Sequence, residues 1–278
     1  LDIVQAISDP YREAADFGMA VSFPEDTLPL APVPLLADPA RISSLRPMDP
    51  SLGRRMSDRV AAVRWLYEHV GGEVPVMGWV EGAMAEAADL RGVANLLLDL
   101  YDRPDWVSDL LEITGEQAIL FARAQVQAGA DIIGLGESVA SQVSPRVYER
   151  LILPWQQRIF AAVREAGAIP RLHICGDTSG ILAPMAASGA EIIDLDWMVD
   201  LRRAGTLYTE YNDSGTIPSP ARWLSPSGNQ DPVAVMLQGT PDEVYAATLA
   251  CLEALGPRGI SNAGCEIPLG TPPENMHA

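Results

Sequence analysis

Short apolar segments alternate along the chain with longer segments in which apolar residues recur every three or four positions. The short segments are rich in β-branched residues and almost continuously apolar, which is typical of strands buried on both faces of a parallel sheet. The pattern predicts strands at residues 19–23, 74–80, 131–136, 170–175, 191–197 and 258–264.

The longer segments carry helix start and stop signals. A helix is predicted over 57–70, and a second over 103–130, with Pro104 near its start and Gly129 at its end. A third segment, 144–167, contains Pro154 and should therefore be kinked or split into two helices. In the fourth, 240–256, Thr240 and Glu243 have the spacing of a capping box.

The alternation of strands and helices predicts an α/β fold, and its repeat number and the length of 278 residues favour a single (β/α)8 TIM-type barrel domain over residues 1–278. No G-x-G-x-x-G follows a predicted strand, which weakens a dinucleotide-binding interpretation. Residues 205–232 are rich in Gly, Pro and Ser and are expected to form a loop with at most one distorted strand. The chain opens at Leu1 in a segment that resembles the interior of a domain, so we expect that part of the N-terminus is missing.

Charge and cysteine content exclude several classes of function. A net charge of −18 disfavours binding to nucleic acid or to an anionic membrane surface. The sequence has neither a long apolar run nor a secretory signal, and its three cysteines are too few for a disulfide framework. We therefore expect a cytoplasmic protein in a reducing compartment, and base rates favour a homodimer if the chain self-associates.

The most informative motif is His173-x-Cys175 at the end of a predicted strand. Residues two apart in a strand face the same side, so the two side chains should point together. Cys265 also follows a predicted strand end, and convergence of all three would give a catalytic zinc site with one open position. The alternative from spacing alone is that both cysteines and the histidine are ordinary buried core residues.

The remaining histidines and cysteine have simpler interpretations. Cys251 lies among Ala and Leu in the middle of a predicted helix and is expected to pack in the core. His69 ends an amphipathic helix, where a surface position is expected, and His277 lies beside the C-terminus.

Several stretches resemble the uroporphyrinogen decarboxylase superfamily, and more narrowly its zinc-dependent corrinoid methyltransferase branch. They are "HICGDT", "SGNQDP", "AGCEIPLGTPPENMHA", "GWVEGAMAEAADLRG" and "AGADIIGLGESVASQVSP". The resemblance covers most of the chain, although the first barrel strand that the family has is not visible ahead of Leu1. It implies Zn²⁺ held by His173, Cys175 and Cys265. It also implies transfer of a methyl group from a methylated corrinoid, carried on a partner protein, to a thiol such as coenzyme M or to tetrahydrofolate.

Polar and aromatic residues at other strand ends are candidates for substrate binding. Glu137 and Asp196 each end a predicted strand and are also candidates for a fourth zinc ligand, although capping a helix would explain either one. Asp177 follows the His-x-Cys motif, and Trp79 and Glu81 end another strand. Loop-shaping roles are expected for the polar residues Asn229, Asp231 and Asn275.

Three other functions remain open on the sequence. A tetrapyrrole decarboxylase would need basic residues for the substrate carboxylates and would leave the His and Cys motif unexplained. An epoxide:thiol transferase would use the same zinc ligands, so the sequence does not separate it from methyl transfer. The third alternative is a non-catalytic accessory protein that binds metal or corrinoid.

Overall fold

A computed structural model describes residues 2–25 and 27–278. The chain divides into two compact units, the first made of residues 1–139 and 154–170 and the second of residues 140–153 and 171–278. The strands in the described part are β1 Val4–Gln5, β2 Val76–Glu81, β3 Ile132–Gly136, β4 Ile169–Ile174, β5 Ile192–Leu195, β6 Ser225–Gln230 and β7 Ile260–Ala263. The α-helices there are α1 Arg12–Asp16, α2 Arg54–Val70, α3 Ala83–Arg91, α4 Val93–Asp102, α5 Pro104–Gln127, α6 Pro145–Val147, α7 Leu153–Ala166, α8 Leu182–Ala186, α9 Leu201–Ser214, α10 Pro241–Leu255 and α11 Pro273–Met276.

In the first unit, β1, β2 and β3 pair side by side as parallel strands in chain order. The almost complete burial of β2 and β3 explains their continuous apolar character. The amide side chain of Gln125, on α5, accepts from the Trp79 N–H at 2.9 Å and donates to the Trp79 carbonyl at 2.9 Å. These two hydrogen bonds fix α5 against β2 and hold the end of the strand in place.

In the second unit, β5 pairs in parallel with β4 on one side and β6 on the other, and β6 pairs in parallel with β7. The register sets His173 of β4 opposite Asp194 of β5, and Asp194 opposite Ser227 of β6. Parallel strands in chain order bring their carboxyl ends to one edge of the sheet. The polar residues of that edge form the candidate site described below.

One strand prediction is wrong, and one strand was missed. Residues 19–23 form no strand: Ser22 makes only an isolated antiparallel bridge with Leu30. The two-residue strand β1 at Val4–Gln5 was not predicted, because so short an element has no measurable periodicity.

The loop predicted at 205–232 is wrong in its first part, whereas the one strand that the prediction allowed is present in its last part. Its first part belongs to helix α9, which Asp200 caps by accepting from the backbone N–H groups of Arg202 and Arg203. Its last part is the polar strand β6, which is buried because Ser227 and Gln230 hydrogen-bond to side chains outside the strand. Because their polar side chains are hydrogen-bonded, such residues can be buried in a strand that the hydropathy pattern does not indicate.

The helix predictions are confirmed more closely. Thr240 and Glu243 form the expected capping box at the start of α10. The predicted interruption near Pro154 is a wide π-helical turn at Tyr148–Ile152, immediately before α7. Among the described residues, no helix has the length and apolar character needed to cross a bilayer.

Candidate metal centre

His173, Cys175 and Cys265 meet in space within the second unit. His173 is near the end of β4, Cys175 follows that strand directly, and Cys265 follows β7. His173 Nε2 lies 3.0 Å from the Cys175 sulfur, and the Cys265 sulfur lies 3.6 Å from the Cys175 sulfur. The three ligand atoms all lie within 4.8 Å of one another, although Cys175 and Cys265 are ninety residues apart in the chain.

These separations fit a single tetrahedral zinc ion. With Zn–S about 2.3 Å and Zn–N about 2.0 Å, tetrahedral angles separate two sulfurs by about 3.8 Å and a sulfur from a nitrogen by about 3.5 Å. The sulfur–sulfur separation of 3.6 Å is close to this value, and the Cys175 sulfur and His173 Nε2, 3.0 Å apart, would move slightly apart around the ion. Two sulfurs and one imidazole nitrogen are also soft and borderline donors that suit zinc better than Mg²⁺ or Ca²⁺. The residues present therefore fit the ion.

The second ring nitrogen of His173 faces a buried carboxylate. Its Nδ1 lies 3.1 Å from Oδ2 of Asp194, and the His173 side chain is only 12% exposed. Arg171, two residues before His173 on the same face of β4, donates from Nη2 to the same Asp194 oxygen at 2.8 Å. With a proton held on Nδ1 by Asp194, Nε2 can release the proton that it otherwise directs at the cysteine sulfurs and offer its lone pair to a metal.

A polar network extends from Asp194 across the sheet to the strand that precedes Cys265. The amide nitrogen of Asn262, on β7, donates to Oδ1 of Asp194 at 2.8 Å. The Asn262 amide oxygen accepts from the hydroxyl of Ser227 on β6. One carboxylate thus bonds to the strand that carries His173 and to the strand that leads into Cys265.

Electrostatics favour the metal-binding form of Cys265. Hydrogen bonds from Cys175 and His173 lower the pKa of the Cys265 thiol to about 4, against the opposing effect of burial. The pKa of Asp194 is also lowered, because Arg171 and His173 outweigh its burial. The carboxylate facing Nδ1 of His173 is therefore charged at neutral pH, and Cys265 is a thiolate.

Asp196 and Asp177 organise loops in the second unit. Asp196 accepts from the backbone N–H groups of Gly176 at 2.9 Å and Met198 at 3.1 Å, so it fixes the turn after Cys175. Asp177 is exposed and accepts from the Ser179 N–H at 2.9 Å. Neither belongs to the three-ligand cluster found among the described residues. A substrate-binding role for each stays a prediction.

The three loop residues named from the sequence make side-chain to backbone bonds. Asn229 donates to the carbonyls of Asp196 and Val199, both at 2.8 Å. Asp231 caps the helical turn at Pro232–Leu237, and Asn275 donates to the carbonyls of Met236 and Gly239.

Glu137, Trp79 and Glu81 belong to the first unit. Glu137 is fully buried and accepts from the Ala85 N–H at 2.8 Å, so it caps the start of α3. Burial and the nearby Glu81 raise the pKa of Glu137 to about 8, against hydrogen bonds that lower it. Trp79 hydrogen-bonds to Glu81 through its side chain. These contacts support helix capping for Glu137, and its predicted part in substrate binding stays untested.

Sequence reasoning missed Arg171, Asp194 and Asn262. Signals for them were present: a charged residue alternates with His173 inside an apolar strand, and Asp194 lies on the same face of its strand as Asp196. A carboxylate in the middle of a buried strand needs a hydrogen-bond partner, and His173 could have been proposed as the partner of Asp194.

Fold and site together define a class: an α/β protein of TIM type with a thiolate- and imidazole-bearing site at the carboxyl ends of its strands. The chain belongs to the uroporphyrinogen decarboxylase (URO-D) family, whose profile matches residues 1–278. This confirms the resemblance noted in the sequence.

The chain is similar to relatives of two kinds, methyltransferases and decarboxylases. The chain is 34% identical over 224 residues to the methylcobamide:CoM methyltransferase MtbA of Methanosarcina mazei. The aligned region covers 80% of this chain and 61% of that protein. It is 29% identical over 254 residues to the uroporphyrinogen decarboxylase of Parasynechococcus marenigrum, covering 87% of this chain and 68% of that protein. The chain thus spans about three fifths of the length of that methyltransferase.

A solved structure confirms the fold class. A methyltransferase from Methanosarcina mazei superposes with a TM-score of 0.84 at 24% identity, covering 99% of this chain and 78% of the other. A B12-independent methionine synthase from Shewanella sp. W3-18-1 gives a TM-score of 0.51 at 16% identity over 75% of this chain and 59% of the other. At these identities the likeness concerns the fold alone.

Proposed function

We propose that this protein is a zinc-dependent methyltransferase that moves a methyl group from a methylated corrinoid to a thiol such as coenzyme M. The observation that carries the proposal is the convergence of His173, Cys175 and Cys265 on one centre. The identity of 34% to a protein named as a methylcobamide:CoM methyltransferase supports the choice of donor and acceptor. Tetrahydrofolate is the alternative acceptor.

His173, Cys175 and Cys265 would hold the zinc. Zinc, when bound with an open position, supplies a Lewis acid that keeps an acceptor thiol deprotonated at neutral pH. Asp194 holds the His173 ring in the orientation and tautomer that direct Nε2 toward the two sulfurs. Asn262 and Arg171 keep Asp194 in place and charged.

In the overall reaction the acceptor thiol would release its proton to solvent, and its sulfur would form a bond to the methyl carbon. The cobalt–carbon bond breaks, and its electron pair stays on the corrinoid. Beyond activating the thiol, the protein would contribute by holding the two reactants in line, which removes much of the entropy cost of their encounter. The corrinoid would be delivered by a carrier protein, and a reducing cytoplasm would keep both thiolates competent.

The proposal predicts that Cys265→Ala loses zinc and methyl transfer together. Purified protein would be assayed for bound zinc and for demethylation of methylcobalamin with coenzyme M, and in parallel with tetrahydrofolate. Cys251→Ala is the matched control, because Cys251 is a free thiol buried in α10 away from the cluster. Undiminished methyl transfer by Cys265→Ala would contradict the proposal, as would equal losses in both variants.

Decarboxylation is the second candidate, because the chain is also 29% identical to a uroporphyrinogen decarboxylase. That substrate carries several carboxylates and needs basic partners. In the candidate site the guanidinium of Arg171 is already paired with Asp194. Turnover of uroporphyrinogen that survives removal of zinc and the Cys265→Ala substitution would favour this candidate over methyl transfer.

A further inference from the structure

The first unit contains a second cluster of ionisable groups, separate from the metal ligands. Glu81 ends β2, Arg12 and Glu13 begin α1, and Glu86 and Asp89 lie three residues apart on α3, so they share one helix face. Electrostatic interactions link Glu86 to each of the other four. The cluster, which we call the acidic cluster, therefore sets four carboxyl groups against one guanidinium.

Arg12 serves only part of this cluster. Its Nη2 donates to Oε1 of Glu81 at 2.7 Å, and its Nε lies 3.5 Å from Oε2 of Glu13. Glu13 also accepts from the backbone N–H of Glu81 at 3.1 Å. Arg12 itself is almost fully buried and donates in addition to the carbonyl of Asp9. The single cation is thus already engaged with Glu81 and Glu13.

Glu86 is left without a partner. Its side chain is 1% exposed, and neither of its carboxyl oxygens has a hydrogen bond. A buried carboxyl with both oxygens unsatisfied costs several kcal/mol if charged. Buried polar groups of this kind in a native structure call for a partner that binds them.

The shape of the cluster argues against a metal ion as that partner. Among the described residues, only His173, Cys175 and Cys265 bring three potential ligand atoms within 4.8 Å of one another. No three carboxyl groups of the acidic cluster therefore come close enough together to hold one ion. The four carboxyl groups suit a larger cation that reaches more than one carboxyl at once.

The chemistry of the donors narrows the class further. Burial and the neighbouring acids raise the pKa of Glu86, so binding of a cation would be accompanied by loss of the Glu86 proton. The resulting carboxylate only accepts hydrogen bonds, so a ligand that satisfies both of its oxygens must present N–H or O–H donors. A planar cation with two parallel N–H groups matches one carboxylate in a two-bond arrangement. Asp89 is only partly buried, so the cluster reaches solvent at this residue, and we expect a small ligand to enter there.

We propose that the acidic cluster is a binding site for a small organic cation that bears N–H donors, of the amidinium or protonated-amine class, with Glu86 as its main anchor. The ligand would place its N–H groups on the two oxygens of Glu86 and its charge among Glu13, Glu81 and Asp89. This site lies within the first unit and is independent of the proposed zinc chemistry. If the cation does not bind, the proposal for the metal centre is unaffected.

The test is calorimetric titration of the full chain with acetamidinium. Binding is expected for the wild type, with acetamide and tetramethylammonium binding at least tenfold more weakly, since the first lacks the charge and the second lacks N–H donors. Glu86→Gln keeps the shape, removes the charge and should raise the dissociation constant for acetamidinium at least tenfold. Glu253→Gln, the same change on an exposed position of α10, should leave it unaltered.

Two further measurements keep the test decisive. Asp89→Asn, at the more accessible edge of the cluster, should also weaken acetamidinium binding, and it provides a second variant if Glu86→Gln folds poorly. Titration with Mg²⁺ and Mn²⁺ is expected to give no binding that depends on Glu86. The proposal is overturned if the wild type does not bind acetamidinium, if Glu86→Gln binds it equally well, or if a divalent ion binds there instead.

Discussion

At the residue scale, the proposed metal site depends on a carboxylate that is not itself a ligand. The His-x-Cys spacing and the position of Cys265 after a strand suggested that these side chains meet, since strand alternation brings residues 173 and 175 to one side. The family resemblance was needed to prefer this over ordinary core residues. Asp194 was missed because its partner His173 lies on a neighbouring strand, and one sequence does not reveal cross-strand register. Its contacts with Arg171 and Asn262 arise from pairing that only the folded sheet creates.

Asp194→Asn should weaken zinc binding by about ten- to a hundredfold, the usual effect of losing the carboxylate partner of a ligating histidine. The reason is that an amide at this position no longer holds a proton on Nδ1 of His173 by charge. Zinc dissociation constants from competition with a chelator measure the effect. Asp213→Asn, on an exposed position of α9, is the matched control. Equal zinc affinities in the two variants would show that Asp194 does not support His173 as a zinc ligand.

At the scale of elements, apolar strands were predictable and polar or very short ones were not. The segments around β2, β3, β4, β5 and β7 show the apolar runs of buried strands, whereas β6 reads as Ser, Pro, Gly, Asn and Gln. Its burial depends on hydrogen bonds to Asn262, Thr248 and Ser261, which are distant in sequence. The approach of β7 to the loop after β5 is equally invisible in the sequence, yet it positions Cys265.

Gly264→Ala tests this close approach. A Cβ at Gly264 would lie 2.4 Å from the backbone nitrogen of Trp197, so the chain must shift just before Cys265. We expect zinc affinity to fall at least tenfold and the free energy of unfolding to fall by about 1–3 kcal/mol. In Gly180→Ala the new Cβ meets only Pro145 at 3.8 Å, an ordinary contact. Unchanged zinc affinity in Gly264→Ala would show that the close approach does not position Cys265.

At the scale of the whole molecule, strand–helix alternation was sufficient to predict the α/β class and the TIM-type fold. The prediction of one domain over residues 1–278 remains a prediction, since the chain forms two compact units. Carboxyl groups buried in the first unit were not predictable, because composition gives a net charge of −18 without showing which acids are buried. Burial raises the pKa of Glu81 to about 7 and that of Asp89 to about 9, as it does for Glu137.

These raised pKa values predict a stability that falls as pH rises. A carboxyl whose pKa is higher in the folded state than in the unfolded state binds its proton more tightly when folded. As pH rises from the ordinary pKa of such a group to its folded pKa, the protein therefore loses the stabilisation that the group contributes. For Glu137 the window runs from the ordinary value of 4.5 to about 8. The free energy of unfolding should thus decrease between pH 5 and pH 8.

Glu137→Gln isolates one contribution to this trend. The free energy of unfolding of this variant, relative to that of the wild type, should increase from pH 5 to pH 8 and then level off. The slope of the increase is at most about 1.4 kcal/mol for each pH unit. Urea unfolding at a series of pH values measures this difference. A difference that does not change with pH would mean that Glu137 has an ordinary pKa in the folded protein.

X-ray absorption at the zinc edge of the purified protein is the decisive experiment on the proposed zinc ligands, because it reports which atoms surround the metal. We expect one zinc per chain with two sulfur neighbours at about 2.3 Å and a nitrogen at about 2.0 Å. In Cys265→Ala the second sulfur should disappear or the zinc should be lost. The proposed set of zinc ligands would be contradicted by a coordination shell made only of nitrogen and oxygen, or by a shell with two sulfurs that survives in Cys265→Ala.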